Sequence, residues 1–251
     1  MSTRKTALVT GASRGIGRAI ALHLAADGFR VAVHYNANRT AADETLALMA
    51  GDGHVPLSAD LADPNATETL AQAALNAFDG RVDVLVHNAG IYEPTPILTS
   101  RNLDAWRETM QRQMQVNFWA GADLAYLLAP AMAGAGWGRV IQIASRAGHR
   151  GEAGHAGYAA SKAAQINFVK SLAMELAPVG VGCFGIATGW TETDMAASAL
   201  SERGDTIRAE IPLGRVALPA DIAALVGFLV TEAADYLSGN ILDANGASYL
   251  R

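Results

Sequence analysis

Thr6-Ala7-Leu8-Val9-Thr10-Gly11-Ala12-Ser13-Arg14-Gly15-Ile16-Gly17 is the stretch that decides the fold. A short apolar run ends in a turn with glycine at 11, 15 and 17, and a helical pattern begins at once. Glycines here permit a tight turn and a close backbone approach to a phosphate. The helix start behind them offers free N–H groups and the positive end of a dipole. Gly11, Ser13, Arg14, Gly15, Ile16 and Gly17 are therefore candidates to hold a dinucleotide's pyrophosphate. The spacing is GxxxGxG, not GxGxxG, and no Gly-Lys-Ser/Thr follows, which excludes a P-loop.

Outward from this turn, short apolar runs alternate with longer helical patterns. The runs predict strands over 6–10, 30–35, 54–57, 82–87, 139–144, 180–187 and 240–243. They are continuously apolar, as strands covered on both faces should be. Helices are expected near 15–27, 40–50, 64–78, 103–133, 154–177 and 219–230. Asp63-Pro64 and Pro219-Ala220-Asp221 read as helix starts. Such alternation implies an α/β fold. It is read as one Rossmann-type domain over 1–251, a doubly wound parallel sheet of about seven strands with helices on both faces. Ligands in such sheets bind beyond the carboxyl ends of the strands.

The second strand ends His34-Tyr35-Asn36, without the acid that usually reads an NAD ribose. Arg14 lies in the glycine turn and Arg39 follows the strand. A missing carboxylate removes a repulsion, and a guanidinium suits a phosphate. The reading therefore favours NADP(H) over NAD(H), with Tyr35, Asn36 and Arg39 near the adenosine ribose. Asp60-Leu61 follows the third strand and Asn88-Ala89-Gly90 the fourth, both on the ligand side. Asp60 is placed to accept from an adenine amino group, or is a plain loop acid.

Ser145 follows the fifth strand, and Tyr158-Ala159-Ala160-Ser161-Lys162 lies beyond it. On a helix, Tyr158 and Lys162 share one face a turn apart. Reducing a ketone needs a proton donor for the developing alkoxide. A free tyrosine titrates near ~10, and an adjacent ammonium lowers that value. A serine hydroxyl can stabilise charge on the substrate oxygen. The pair alone is weak evidence. The pair, the serine and the glycine turn in this order form a strong set.

At this point the chain resembles the short-chain dehydrogenase/reductase family from Thr10 to Gly246. The carriers are Thr10-Gly11-x-x-x-Gly15-x-Gly17, Asn88-Ala89-Gly90, Asn117, Ser145 and Tyr158-x-x-x-Lys162. The resemblance implies Tyr158 as general acid/base and Lys162 as the ribose ligand that lowers the tyrosine's pKa. It implies Ser145 as the carbonyl-orienting group and Asn117 as the holder of a relay water. Thr188, Gly189, Thr191 and Thr193, after the sixth strand, fall where the family grips the carboxamide and pyrophosphate. Residues near 190–212 would form a mobile lid. Met195, Leu200 and Ile207 are lid contacts or, preferably, a helix's apolar face. His149 and His155 read as substrate-loop or solvated residues, and no metal site is expected.

Ile211-Pro212-Leu213-Gly214-Arg215 and Pro219-Ala220-Asp221-Ile222-Ala223 are similar to the 3-oxoacyl-carrier-protein reductase branch. A small-molecule or acyl-thioester carbonyl substrate is thus implied, with a homodimer or homotetramer built on helices 103–133 and 154–177. Five positions depart from the family pattern: His87 for Asn, Phe184 for Asn, Thr188 for Pro, and two in Asn245-Gly246-Ala247 for Asp-Gly-Gly. Thr188 in place of proline suggests a looser loop. The stretch 106–117 is longer than usual and suggests a lengthened or bulged helix.

Two other classes stay open. One is a catalytically silent NADP(H)-binding regulatory or scaffold protein of this fold, which has no need of all four catalytic residues. The other is a methyltransferase, which leaves Tyr158 and Lys162 without a task. Composition narrows the field further. Of 251 residues 51% are apolar and 17% charged, which argues against disorder. Net charge is −5, so no basic stripe points to nucleic acid. The single cysteine, Cys183, forms no internal disulfide and fits a reducing compartment. A polar start at 1–5 and no run of about 18 apolar residues read as a cytoplasmic chain with no membrane partner.

Overall fold

Strand and helix alternate along the chain as the apolar runs require. A computed structural model describes residues 4–251; residues 1–3, part of the polar start, lie outside the described residues. β1 (Thr6–Val9) leads through the glycine turn to α1 (Gly15–Ala26), β2 (Arg30–Tyr35) to α2 (Arg39–Leu48), and β3 (Val55–Ser58) to α3 (Ala66–Ala77). β4 (Val84–His87) leads to α4 (Leu103–Met114), which runs through a π-turn at Gln115–Trp119 into α5 (Ala120–Ala135). β5 (Gly138–Ser145) is followed by the short α6 (Ala147–Arg150) and the long α7 (Ala156–Leu176). β6 (Val181–Thr188), α8 (Asp194–Ala209), α9 (Pro219–Leu229) and β7 (Ile241–Ala244) complete the order.

The seven strands form one sheet in the order β3-β2-β1-β4-β5-β6-β7, every pairing parallel. Alternate residues of each strand feed two cores. Ala7, Val9, Val84, Val86, Ile141 and Ile143 pack toward α1 and α9. Leu8, Leu85 and Val140 pack toward α3, α5 and α7. Both faces are thus covered, which explains the uninterrupted apolar strand sequences. The strand order reverses between β1 and β4, and a crevice opens at that point beyond their carboxyl ends.

Caps set several helix starts. Asn102 Oδ1 accepts from the N–H groups of Asp104 and Ala105 at the start of α4. The expected start at Pro219 is found, with Asp221 accepting from the Leu218 N–H. Asp63-Pro64 instead makes a turn. Asp63 Oδ1 accepts from Asn65 N–H, and the helix begins at Ala66. The single helix expected over 103–133 is interrupted by the π-turn, so the expected bulge sits on Asn117. Thr188 is the last residue of β6. It stays in the ladder between Ser145 and Ala244, and its carbonyl accepts from Arg146 N–H. Phe184 is fully buried in the α1/α9 core, so an apolar ring fills the place of an amide.

Candidate functional site

One cleft of about 830 Å³ runs along the carboxyl ends of β1–β6. At one end lies the glycine turn. Gly11 and Gly15 adopt φ of +62° and +55°, a left-handed region that disfavours side chains. A Cβ on Gly17 would stand 2.2 Å from the Gly11 carbonyl oxygen, so the turn can close only on glycine there. No side chain caps the start of α1, and its first N–H groups have no carbonyl behind them. This is a cradle for an anion, open at the place where a pyrophosphate would lie.

Buried side chains hold the cradle from beneath. Asn88 Nδ2 donates to the carbonyls of Thr10 and Gly11 at 3.0 and 3.2 Å. His34 Nδ1 accepts from the Gly11 N–H at 3.0 Å, and its Nε2–H donates to the Ala59 carbonyl at 3.1 Å. Burial pushes this imidazole down to about 4, so the neutral form these bonds need is the stable one near neutral pH. Arg18 ties Ser13 O to Ala41 O and Glu44 of α2. His34 and Arg18 are braces that no motif marks; a histidine inside an apolar strand is the one visible signal.

Ser13, Arg14, Tyr35, Asn36, Asp60, Leu61 and Gly90 line the same cleft. Arg39 does not. Its guanidinium pairs with Asp43 one turn along α2, at 2.8 and 3.0 Å. Asp60 spends Oδ1 on the Ala62 N–H. Ala89 N–H donates to Thr10 Oγ1. Thr191, Thr193 and Gly189 line the far wall, with Thr193 closest to Gly15. Arg14 meets Asp194 at 3.1 Å across the cleft mouth, both well exposed.

At the other end Ser145, Tyr158 and Lys162 converge from β5 and the first turns of α7. The Ser145 hydroxyl stands beside the Tyr158 phenol; it reaches the Thr188 carbonyl at 3.5 Å, and its oxygen accepts from the Ala147 N–H at 3.1 Å. Lys162 Nζ donates to the Ile143 carbonyl at 2.8 Å and lies 5.6 Å from the Tyr158 ring centre. Burial pushes the Tyr158 phenol up to about 12, with the Ser145 hydroxyl pulling it partly back. Burial pushes Lys162 down to about 7. The expected lowering of the tyrosine by the ammonium is therefore not found. The two groups are driven in opposite directions by the same dry surroundings, and both charged forms are disfavoured.

Asn117 is fully buried beside them, and its amide is committed to Ile91 and Ser161. Oδ1 accepts from Ile91 N–H at 2.8 Å, and Nδ2 donates to Ile91 O and Ser161 Oγ. Tyr92 lines the cleft with His155 stacked on it, a wall the sequence did not foretell. Their rings stack at 4.0 Å, and Tyr92 meets Tyr158 edge-on at 4.8 Å. His149 is packed rather than solvated, stacked on Tyr249 and 3.7 Å from Asp243. On α8 the roles divide. Leu200 and Ile207 join a small cluster with Trp190, Ile211 and Val216, whereas Met195 lines the cleft. No cluster of three or more His, Cys, Asp or Glu suited to a metal occurs among the described residues, and no helix among them is long and apolar enough to cross a membrane.

A glycine turn suited to an anion and the Ser145, Tyr158 and Lys162 side chains thus share one crevice. The family model described as enoyl-(acyl carrier protein) reductase matches residues 11–246. A 3-oxoacyl-[acyl-carrier-protein] reductase of Synechocystis is 37% identical, with 97% of this chain and 96% of the relative covered. The reductase FabG of Vibrio cholerae is 35% identical over 98% of each chain. An uncharacterized oxidoreductase, YmfI, of Bacillus subtilis is 35% identical over 96% of this chain and 98% of its own. The chain belongs to the short-chain dehydrogenase/reductase family and is a nicotinamide-dependent oxidoreductase acting on CH–OH groups.

Proposed function

We propose that the chain is an NADP(H)-dependent ketoreductase whose leading substrate class is a 3-oxoacyl thioester. The observation that carries this reading is the convergence of Ser145, Tyr158 and Lys162 at the end of the cleft opposite the glycine cradle. The Gly15–Gly17 N–H groups are suited to a pyrophosphate, and Tyr158 and Lys162 to the nicotinamide ribose. A bound nicotinamide supplies or removes the hydride at the carbonyl carbon. Ser145 donates a hydrogen bond to the carbonyl oxygen, and Tyr158 gives that oxygen its proton. A phenol held up near about 12 is protonated at neutral pH, which suits the reducing direction. Asn117, fixed in the π-turn beside Lys162, serves the proton relay. The lid is the 190–212 segment of a single working unit over 1–251.

The phosphate preference is supported by Tyr35-Asn36, which bring no acid to the end of β2, and by Arg14 on the cleft wall. The Arg14–Asp194 pair is exposed and weak, so a phosphate can displace the carboxylate. Arg39 would join only by leaving Asp43. The acyl-thioester substrate is supported by the names of the relatives. Exposed Trp119, Tyr126 and Met174 near or on α5 and α7 support a dimer or tetramer, and the reading includes a cytoplasmic setting.

The test is a kinetic screen of 3-oxoacyl thioesters and smaller ketones with NADPH and NADH side by side. Turnover with NADPH ahead of NADH is expected. In Tyr158→Phe we expect kcat to fall by about 10²–10⁴ while NADPH still binds. Tight NADPH binding with no turnover on any carbonyl would instead indicate a silent binding protein.

A further inference from the structure

His87 closes β4 and is completely buried. Its Nδ1 lies 3.1 Å from Thr10 Oγ1, and its Nε2 lies 3.1 Å from the Asn117 carbonyl oxygen. Thr10 Oγ1 already accepts from the N–H groups of Asn88 and Ala89, at 3.0 and 2.9 Å. Its own hydrogen is therefore left for His87 Nδ1. A carbonyl only accepts, so Nε2 carries the imidazole proton. One neutral tautomer satisfies both partners, and neither the other tautomer nor the cation does.

Room for the ring comes from α5. A Cβ on Gly121 would stand 2.5 Å from His87 Cδ2. The carbonyl that His87 grips belongs to the π-turn, where the regular helical ladder is interrupted. The side chain of that same Asn117 holds Ile91, just past the Asn88-Ala89-Gly90 segment. Across this segment lies Lys162: a Cβ on Gly90 would be 3.4 Å from Asn117 Oδ1 and 3.7 Å from Lys162 Nζ. The ring thus links the foot of the glycine turn to the wall beside the catalytic lysine.

We propose that His87 is a positioning residue that fixes the π-turn, and with it Asn117 and the Lys162 end of the cleft, against Thr10. The proposal rests on the ketoreductase reading. It makes the departure from the family pattern at 87 part of the catalytic geometry rather than a neutral change in the core. The His87/Gly121 pair is then one device: ring and gap must occur together.

The test uses His87→Gln, which keeps a donor at the Nε2 position, His87→Leu, which keeps neither bond, and Gly121→Ala, which pushes the ring while leaving it chemically intact. The kcat for the best ketone, the NADPH Kd and Tm are measured for each. A misplacement of about 1 Å can cost on the order of 10²-fold, so kcat is expected to fall by about 30-fold or more in His87→Leu and about 10-fold in Gly121→Ala. NADPH Kd should stay within about threefold, and His87→Gln should recover kcat to within about fivefold of the parent. The proposal is overturned if kcat stays level while only Tm moves, or if kcat and Kd weaken in parallel. Should His87→Leu not fold, Gly121→Ala decides by the same criteria. Amide hydrogen exchange over 115–119 gives a readout independent of turnover. Faster exchange in Gly121→Ala with parent-like exchange in His87→Gln supports the clamp, and equal protection in all overturns it. Absence of turnover in the parent would count against the ketoreductase reading alone.

Discussion

The two ends of the cleft are built from different materials. The glycine end is backbone: N–H groups at a helix start, carbonyls braced by Asn88, two glycines at positive φ and a third with no room for a Cβ. The proposed catalytic end is made of side chains from separate segments, Ser145 on β5, Tyr158 and Lys162 on α7, and Asn117 in the π-turn. A backbone site fails by steric intrusion, whereas a side-chain site fails by loss of a functional group. The first should lose cofactor affinity when damaged, and the second should lose rate.

The sharpest break is expected in Lys162→Met. Rate should drop by about 10² or more, since the amine beside the phenol and its proposed hold on the nicotinamide ribose are both lost. Stability should move the other way. Lys162 titrates near 7 rather than 10.5, so the fold works against its charge at every pH below 10.5. Removing it should raise Tm by a few degrees, and a Tm that falls with the rate would contradict this account. Gly17→Ala comes next. Its methyl must displace the Gly11 carbonyl, so NADPH Kd should weaken by about tenfold or more with a destabilisation of about 1–3 kcal/mol. Titration calorimetry and thermal melts read both, and an unchanged Kd would show that the cradle tolerates intrusion.

The smallest effect separates the ends by pH. His34 titrates near 4 and His87 near 3, both depressed from 6.5 by burial. Above 6.5 their contribution to stability is fully present. As pH falls from 6.5 toward 4, the unfolded chain takes up protons that the fold refuses. Stability should then fall by about 1.4 kcal/mol per pH unit for each histidine. His34→Gln should remove roughly half of that slope between pH 6 and 4.5, visible in urea melts at several pH values. An unaltered slope would mean that the bond from Gly11 N–H does not need a neutral ring.

The same contrast explains what could be read from the sequence. A backbone site leaves a spacing signature, so Gly11, Gly15 and Gly17 announced both the turn and the parallel sheet. The Tyr158/Lys162 pair was legible because four residues is one helical turn. The opposite displacement of their pKa values was not, because it depends on how dry the assembled cleft is. Arg39 looked available from its position and is held by Asp43, since an i,i+4 partner on α2 competes for it. The Tyr92–His155 wall brings together residues far apart in sequence, and no local pattern encodes such a meeting. The π-turn was foreshadowed only by the length of 106–117.

The small apolar cluster of Ile207, Ile211, Val216, Trp190 and Leu200 gives the proposed lid a core of its own. Freezing one flexible residue costs roughly 1–2 kcal/mol at room temperature. A cover that arrives already folded does not draw that cost from the affinity of whatever enters beneath it. Selectivity can then be retuned at Met195, the residue it turns toward the cleft, without rebuilding the segment that carries it.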